Sequence, residues 1–211
     1  MDRIVAGYRD WADMPSAKIR VRTPGELLQL NPVGAEILFL GWSWMIPLDM
    51  LVDNSCIVAH PSKLPEYRGG TPLQHQINDG LTETELTFFR PTMQTDHGPV
   101  VARLPLDLSG TIPEIYSRMW ICSLRFHREI WDKVPYMGLD AYKNDELEHP
   151  QPPPRKRIKP SESRLNWAPD HWFGVHAYNK IRGLTGPYPR AYIRFLDGRL
   201  YLEEVRWEPN E

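Results

Sequence analysis

Apolar and polar positions along the chain predict an α/β fold: an abbreviated Rossmann-like, mostly parallel sheet followed by a small C-terminal α+β appendage. Arg3 to Gly7 reads as a short buried strand, and the turn after it lacks the GxGxxG spacing of a dinucleotide site. Thr23-Pro24 is an N-cap followed by proline at the first helical position, and Asn31-Pro32 closes that short helix. Ala35 to Gly41 and Ser55 to Ala59 are nearly continuous apolar runs, the pattern of strands buried on both faces of a parallel sheet. Each run opens into an unusual loop at its carboxyl end, where open α/β sheets bind ligands.

Further on, Pro72 to Asp79 predicts a helix ending at Gly80, and Glu85 to Arg90 a strand leading into Met93-Gln94-Thr95-Asp96-His97-Gly98. Ile112 to Val134 carries apolar residues at helical spacing and predicts one long amphipathic helix. The tail predicts a helix over Trp172 to Leu184 and a hairpin, Ala191 to Leu196 and Arg199 to Trp207, turning at Asp197-Gly198. These patterns divide the chain into a main domain (1–143), a proline-rich basic connector (144–165) and a helix-plus-hairpin module (166–211).

Composition narrows the function classes. A length of 211 residues supports one good core, and 41% apolar with 25% charged residues is ordinary for a folded globular chain. The formal net charge of -2 gives no electrostatic reason to expect nucleic acid or an anionic membrane surface. Cys56 and Cys122 lie in apolar surroundings without CxxC spacing, so both read as buried thiols in a reducing compartment. With no apolar leader at Met1 to Gly7 and no membrane-spanning window, the expected address is cytoplasmic. The histidines show no metal-ligand spacing, so no metal is expected.

The candidate chemistry lies in the loops. His60-Pro61-Ser62-Lys63-Leu64-Pro65-Glu66-Tyr67-Arg68-Gly69-Gly70-Thr71-Pro72-Leu73-Gln74 resembles the HxSLLPxxRGxxPxQ block of folate-dependent formyltransferases, which include methionyl-tRNA and amino-sugar formyltransferases. Asp96-His97-Gly98 stands where that family has its D-x-G motif, and Arg164 to Trp167 with Lys180 to Leu184 and Pro187 to Tyr192 is similar to its linker and C-terminal module. The resemblance covers most of the chain from Ile37 onward, and it implies the formyltransferase fold and 10-formyltetrahydrofolate as co-substrate.

Formyl transfer to an amine develops an oxyanion and moves protons from the amine to the departing folate nitrogen, work suited to a histidine and a carboxylate. By the resemblance, His60 steadies the oxyanion and Asp96 orients His60 or relays protons. Trp42, Trp44, Met45, Ile46 and Thr95 would border the folate, and Tyr8, Arg9, Arg68, Gly69 and Gln74 the acceptor. The chain departs from the family at Val58, where an asparagine usually donates to the oxyanion two residues before the histidine. Loss of such a donor typically costs ~10²–10³ in rate, and Gln94, His97 or a backbone N–H are the candidates to replace it. Asn54 and Ser55 sit too far back on the strand to do so. The short tail and weak basic charge favour a small amine acceptor, a nucleotide-linked amino sugar, over an initiator tRNA; a homodimer is compatible with this reading. A non-catalytic folate or sugar-nucleotide binder, suggested by Val58, and a formyl-folate hydrolase are the alternatives.

Overall fold

Strongly apolar segments form the centre of the sheet, and polar turns carry the chain between them. The computed structural model describes residues 2–7, 11, 13, 14, 17–136, 152–165 and 174–208. Strands β1 (Arg3–Gly7), β2 (Ile19–Val21), β3 (Glu36–Leu40), β4 (Ser55–His60), β5 (Glu83–Phe89) and β6 (Val100–Asp107) form one sheet in the order β2-β1-β3-β4-β5-β6. Neighbouring strands from β2 to β4 run parallel, whereas β5 and β6 are antiparallel additions. All five residues of β3 are buried: Ile37 to Leu40 form its apolar run, and Glu36 at its start accepts from Arg3 at 2.7 Å.

Helix α1 (Pro24–Leu30) starts as its Thr23-Pro24 signature requires: the Thr23 hydroxyl accepts from Glu26 N–H, and Asn31 closes the helix in left-handed backbone. Helices α2 (Leu48–Asp53) and α3 (Pro72–Asn78) flank β4 in sequence. Helix α4 (Ile112–Arg125) opens with a Thr111/Glu114 capping box. Two buried clusters lie in this body, one containing Leu38, Ile57, Phe88, Ile115 and Trp131, the other Ile4, Ile37, Phe39, Met50 and Cys56. Alternate residues of β3 and β4 therefore feed different clusters, which explains why the interiors of both strands, Ile37 to Leu40 and Cys56 to Ala59, are apolar on both faces.

The structure adds elements that the pattern did not predict. Strand β2 is three residues long and α2 six, both too short for a periodic signal. Strand β6 contains Pro105, which disfavours a strand in general but is tolerated here because β6 is the sheet edge. The predicted helix over Ile112 to Val134 is corrected: α4 stops at Arg125, then a π-turn spans Phe126–Ile130 and a 3₁₀ turn Trp131–Lys133. The wider turn accompanies a parallel stack of Phe126 on Phe88, with ring centroids 3.8 Å apart.

The tail is helix α5 (Gly174–Gly183) and a hairpin of β7 (Ala191–Arg194) and β8 (Arg199–Leu202). Helix α5 packs on α3, and the buried Arg182 guanidinium donates to the carbonyls of Leu108 and Gly110. The Ile112 N–H donates to Thr185, and the hydroxyls of Tyr116 and Tyr188 meet at 2.8 Å. Among the described residues no helix is long and apolar enough to cross a membrane.

Candidate active site

Register sets the site. Leu40 on β3 pairs with Ala59 on the parallel β4, so the loop starting at Gly41 and the side chain of His60 share the carboxyl edge of the sheet. Gly41 has φ 58°, a left-handed turn that glycine adopts without steric penalty. The order β2-β1-β3 reverses winding at β1, and ligands of open α/β sheets bind at such switch points. Strand β5 runs the other way, passing His60 at Thr87 and ending opposite Val58 at Phe89. The loop after it must fold back along β4 for Asp96 to reach His60, and it does: His60 Nδ1 lies 3.6 Å from Asp96 Oδ2.

Each member of this pair is held by backbone. His60 Nε2 donates to the Tyr67 carbonyl at 3.0 Å, and a carbonyl only accepts, so Nε2 carries a proton. In the neutral ring the Nδ1 lone pair then faces a carboxylate oxygen. Two acceptors at 3.6 Å make no hydrogen bond by themselves; the arrangement calls for a proton, or an N–H or O–H donor, between them. Asp96 Oδ2 also accepts the Gly69 N–H at 2.8 Å, which fixes the carboxylate from the opposite loop. Among the described residues the non-glycine left-handed residues are Asn31, Tyr67, Thr71 and Asp96, so all except the α1 cap lie in the two loops that form this pair. Such backbone costs on the order of 1–3 kcal/mol per residue and persists where surroundings over-determine it.

The other predicted residues divide by position. Trp42, Trp44, Met45 and Ile46 form the loop after β3. Trp42 packs edge-on against Phe39 and Trp44, with centroids 5.4 and 4.9 Å away, while Trp44 and Met45 are 40% and 64% exposed. The Trp42 indole N–H is buried without a hydrogen-bond partner. Phe39, against which the Trp42 ring packs, is the register partner of Val58, the strand position where the family has asparagine. An orphaned donor costs about 1–3 kcal/mol until an acceptor meets it, and the polar edge of a pterin offers acceptors; the loop thus fits the folate in chemical type.

Arg68 is buried, and its guanidinium donates to the Thr95 carbonyl at 2.7 and 3.0 Å and reaches the Pro152 carbonyl at 3.4 Å. Its donors therefore tie the two loops together. Burial lowers the Arg68 pKa, with Asp96 opposing that shift. Gln74 is buried on α3, and neither its amide oxygen nor its nitrogen has a partner. Tyr8 and Arg9 lie outside the described residues.

Of the replacement donors, His97 Nδ1 lies 3.3 Å from the Thr92 hydroxyl, and burial followed by Arg68 pushes its pKa down, leaving the ring neutral near pH 7. Gln94 is exposed. Asn54 and Ser55 are engaged elsewhere: Asn54 donates to Pro32 and Met50 carbonyls, and the Ser55 hydroxyl accepts from Arg90.

The sequence reading missed what holds the block in place. The segment Pro152–Leu165 does not hang free. Arg155 bridges Gly69 in parallel register, its N–H donating to the Arg68 carbonyl at 2.7 Å and its carbonyl accepting from Gly70 at 2.9 Å. Its guanidinium stacks 4.3 Å over the Tyr67 ring and pairs with Asp79 at 3.0 Å. Gly69-Gly70 was a faint signal of close backbone approach; its partner, far along the chain, left none. Among the described residues no group of His, Cys, Asp and Glu is arranged to hold a metal ion.

An open, mostly parallel α/β sheet with antiparallel additions and flanking helices is the architecture of the formyltransferase fold. Comparison with known proteins agrees. No family model matches the chain. It is 27% identical over 184 residues to the methionyl-tRNA formyltransferase of Lysinibacillus sphaericus, an alignment covering 85% of this chain and 56% of the relative. A methionyl-tRNA formyltransferase structure from Clostridium thermocellum superposes with a TM-score of 0.76 at 26% identity, over 99% of this chain and 94% of that one. A sugar N-formyltransferase of a Shewanella species gives 0.64 at 13% over the whole of both chains. HypX of Aquifex aeolicus in complex with tetrahydrofolic acid gives 0.67 at 17%, over 97% of this chain and 37% of HypX. The last two likenesses show the fold alone. Together these relationships show the formyltransferase fold and a similarity to methionyl-tRNA formyltransferases along most of the chain. The chain spans about half the length of the curated relatives it matches.

Proposed function

We propose that the chain is a 10-formyltetrahydrofolate-dependent N-formyltransferase that acts on the primary amine of a small acceptor, a nucleotide-linked amino sugar. The observation carrying this reading is the His60–Asp96 pair, brought together at 3.6 Å beside the Trp42–Ile46 loop from distant parts of the sequence. The amine nitrogen attacks the formyl carbon, the bond from that carbon to the folate nitrogen breaks, and tetrahydrofolate leaves. One proton is lost by the amine and one is gained by the folate nitrogen, so the transfer is proton-neutral overall. The slot between His60 Nδ1 and Asp96 Oδ2 is suited to hold the proton in transit, and the Trp42–Ile46 loop would hold the pterin.

Charge supports the small acceptor: a formal net charge of -2 is a poor match for a polyanionic RNA. The assay incubates the protein with 10-formyltetrahydrofolate and a panel of nucleotide-linked amino sugars, with initiator methionyl-tRNA in parallel, and follows tetrahydrofolate release. Release that requires an amino sugar is expected; release only with the tRNA would move the acceptor to the second class. One observation favours a second reading, a non-catalytic folate binder: Val58 shares the face of β4 with His60 and can donate nothing to an oxyanion. Tight folate binding by calorimetry with no release under any acceptor would select it.

A further inference from the structure

We propose that Tyr67, Asp79 and Arg155 form a positioning triad that holds the His60 ring with its proton on Nε2, so that the Nδ1 lone pair is presented to Asp96. The catalytic consequence rests on the formyltransferase reading above; the effect on the ring does not.

The Tyr67 carbonyl that takes the Nε2 proton is aimed by a backbone with φ 56°, a conformation that a tyrosine does not hold by local preference. Something outside the residue must hold it, and three contacts do. The Tyr67 hydroxyl donates to Asp79 Oδ2 at 3.0 Å, at the C-cap of α3. The same carboxylate oxygen accepts from Arg155 at 3.0 Å, and the Arg155 guanidinium plane covers the Tyr67 ring at 4.3 Å. Arg155 is itself stapled on both sides, by its N–H to the Arg68 carbonyl and by its carbonyl from Gly70. Gly69 between them admits this approach, since an added Cβ would overlap the Arg155 carbonyl. Burial, and then the bond to Asp79, push the Tyr67 pKa up, which keeps the phenol a donor.

The Arg155–Asp79 pair is about two-fifths exposed on both sides, so as an ion pair it stabilises the fold little. What the three groups supply is direction. They connect the end of α3, the His60 loop and the connector at one aromatic ring, whose backbone carbonyl selects the tautomer of the catalytic imidazole.

The test uses the full chain labelled with ¹⁵N-histidine, with the His60 ring assigned by subtracting the spectrum of His60→Gln. Wild type is expected to show the proton on Nε2. Asp79→Ala and Arg155→Ala should shift the ring toward Nδ1–H or exchange between tautomers, while Asp79→Asn, which still accepts from the Tyr67 hydroxyl, should keep the wild-type signature. In turnover the two alanine variants should lose about tenfold in kcat, less than the ~10² that a 1 Å misplacement can cost, with KM for the folate within about twofold. Tyr67→Phe removes only the hydroxyl and guards against misfolding as an explanation. Unchanged tautomer and kcat in Asp79→Ala, Arg155→Ala and Tyr67→Phe would overturn the triad and leave the formyltransferase reading standing. A tautomer that moves in a protein lacking transfer to any acceptor would sink that reading and leave the triad.

Discussion

Two loops meet at the carboxyl edge of the sheet, and they are built on opposite plans. The His60 side is tied down at almost every residue: Ser62, Tyr67, Arg68, Gly69, Gly70 and Asp96 all hydrogen-bond to a distant backbone or side chain. The Trp42–Pro47 side projects exposed Trp44 and Met45 and holds a buried indole N–H with nothing to bond. Groups that must be placed to a fraction of an ångström benefit from over-determination. A surface that must close on a flat ligand benefits from unspent donors and adaptable apolar side chains.

The contrast predicts unequal responses to mutation. The largest effect belongs to Asp96→Asn and His60→Ala, each expected to lower kcat by ~10²–10⁴, the usual worth of a general acid–base group. Asparagine tolerates the left-handed backbone at 96 and still accepts from Gly69, so the thermal midpoint of Asp96→Asn should remain near wild type. Stopped-flow release of tetrahydrofolate with parallel melting curves reads both. Full transfer by either variant would remove the proposed mechanism.

Next in size is Gly69→Ala, which combines φ 96° with an overlap on Arg155; Gly34→Ala combines φ 70° with open space. Urea unfolding should show a loss of about 1 kcal/mol at Gly34, from backbone alone, and about 2–3 kcal/mol at Gly69. Equal losses would mean that the connector is not seated on the loop.

On the open side, Trp42→Phe should weaken folate binding by roughly 2- to 10-fold, the value of one hydrogen bond, without lowering stability, because removing the unpaired buried donor relieves a cost that offsets the smaller ring's lost packing. Calorimetry with a stable reduced folate reads this, and unchanged affinity would leave the indole as simple packing. The smallest effect is at Cys56, whose thiol burial pushes up to about 12. A thiolate-directed alkylating reagent at pH 8 should leave Cys56 unmodified until the chain is unfolded, as mass spectrometry of the digested protein would show.

Much of the sheet was legible because its signal is local. The run Ile37–Leu40 has no polar interruption, and the Thr23-Pro24 cap states where α1 begins. The His60–Asp96 pairing was legible only through family resemblance, since no periodicity tells that the loop after an antiparallel β5 turns back along β4. What stayed hidden depends on distant partners. Arg155 lies in a basic run that reads as a solvated connector, yet its ring contact and staples involve Tyr67 to Gly70, nearly ninety positions earlier. The π-turn at Phe126 stayed hidden because one extra residue in a helical turn barely disturbs the apolar spacing.

Seating residues 152–158 against Tyr67 to Thr71 also bears on how the molecule is made. Emerging from a ribosome, the chain delivers the imidazole and the carboxylate long before it delivers the guanidinium that braces them. On the reading proposed above, a nascent protein extruded only through α4 would own both reactive groups but not the brace, and competence would arrive with the synthesis of a segment whose described contacts are with the loop that carries them.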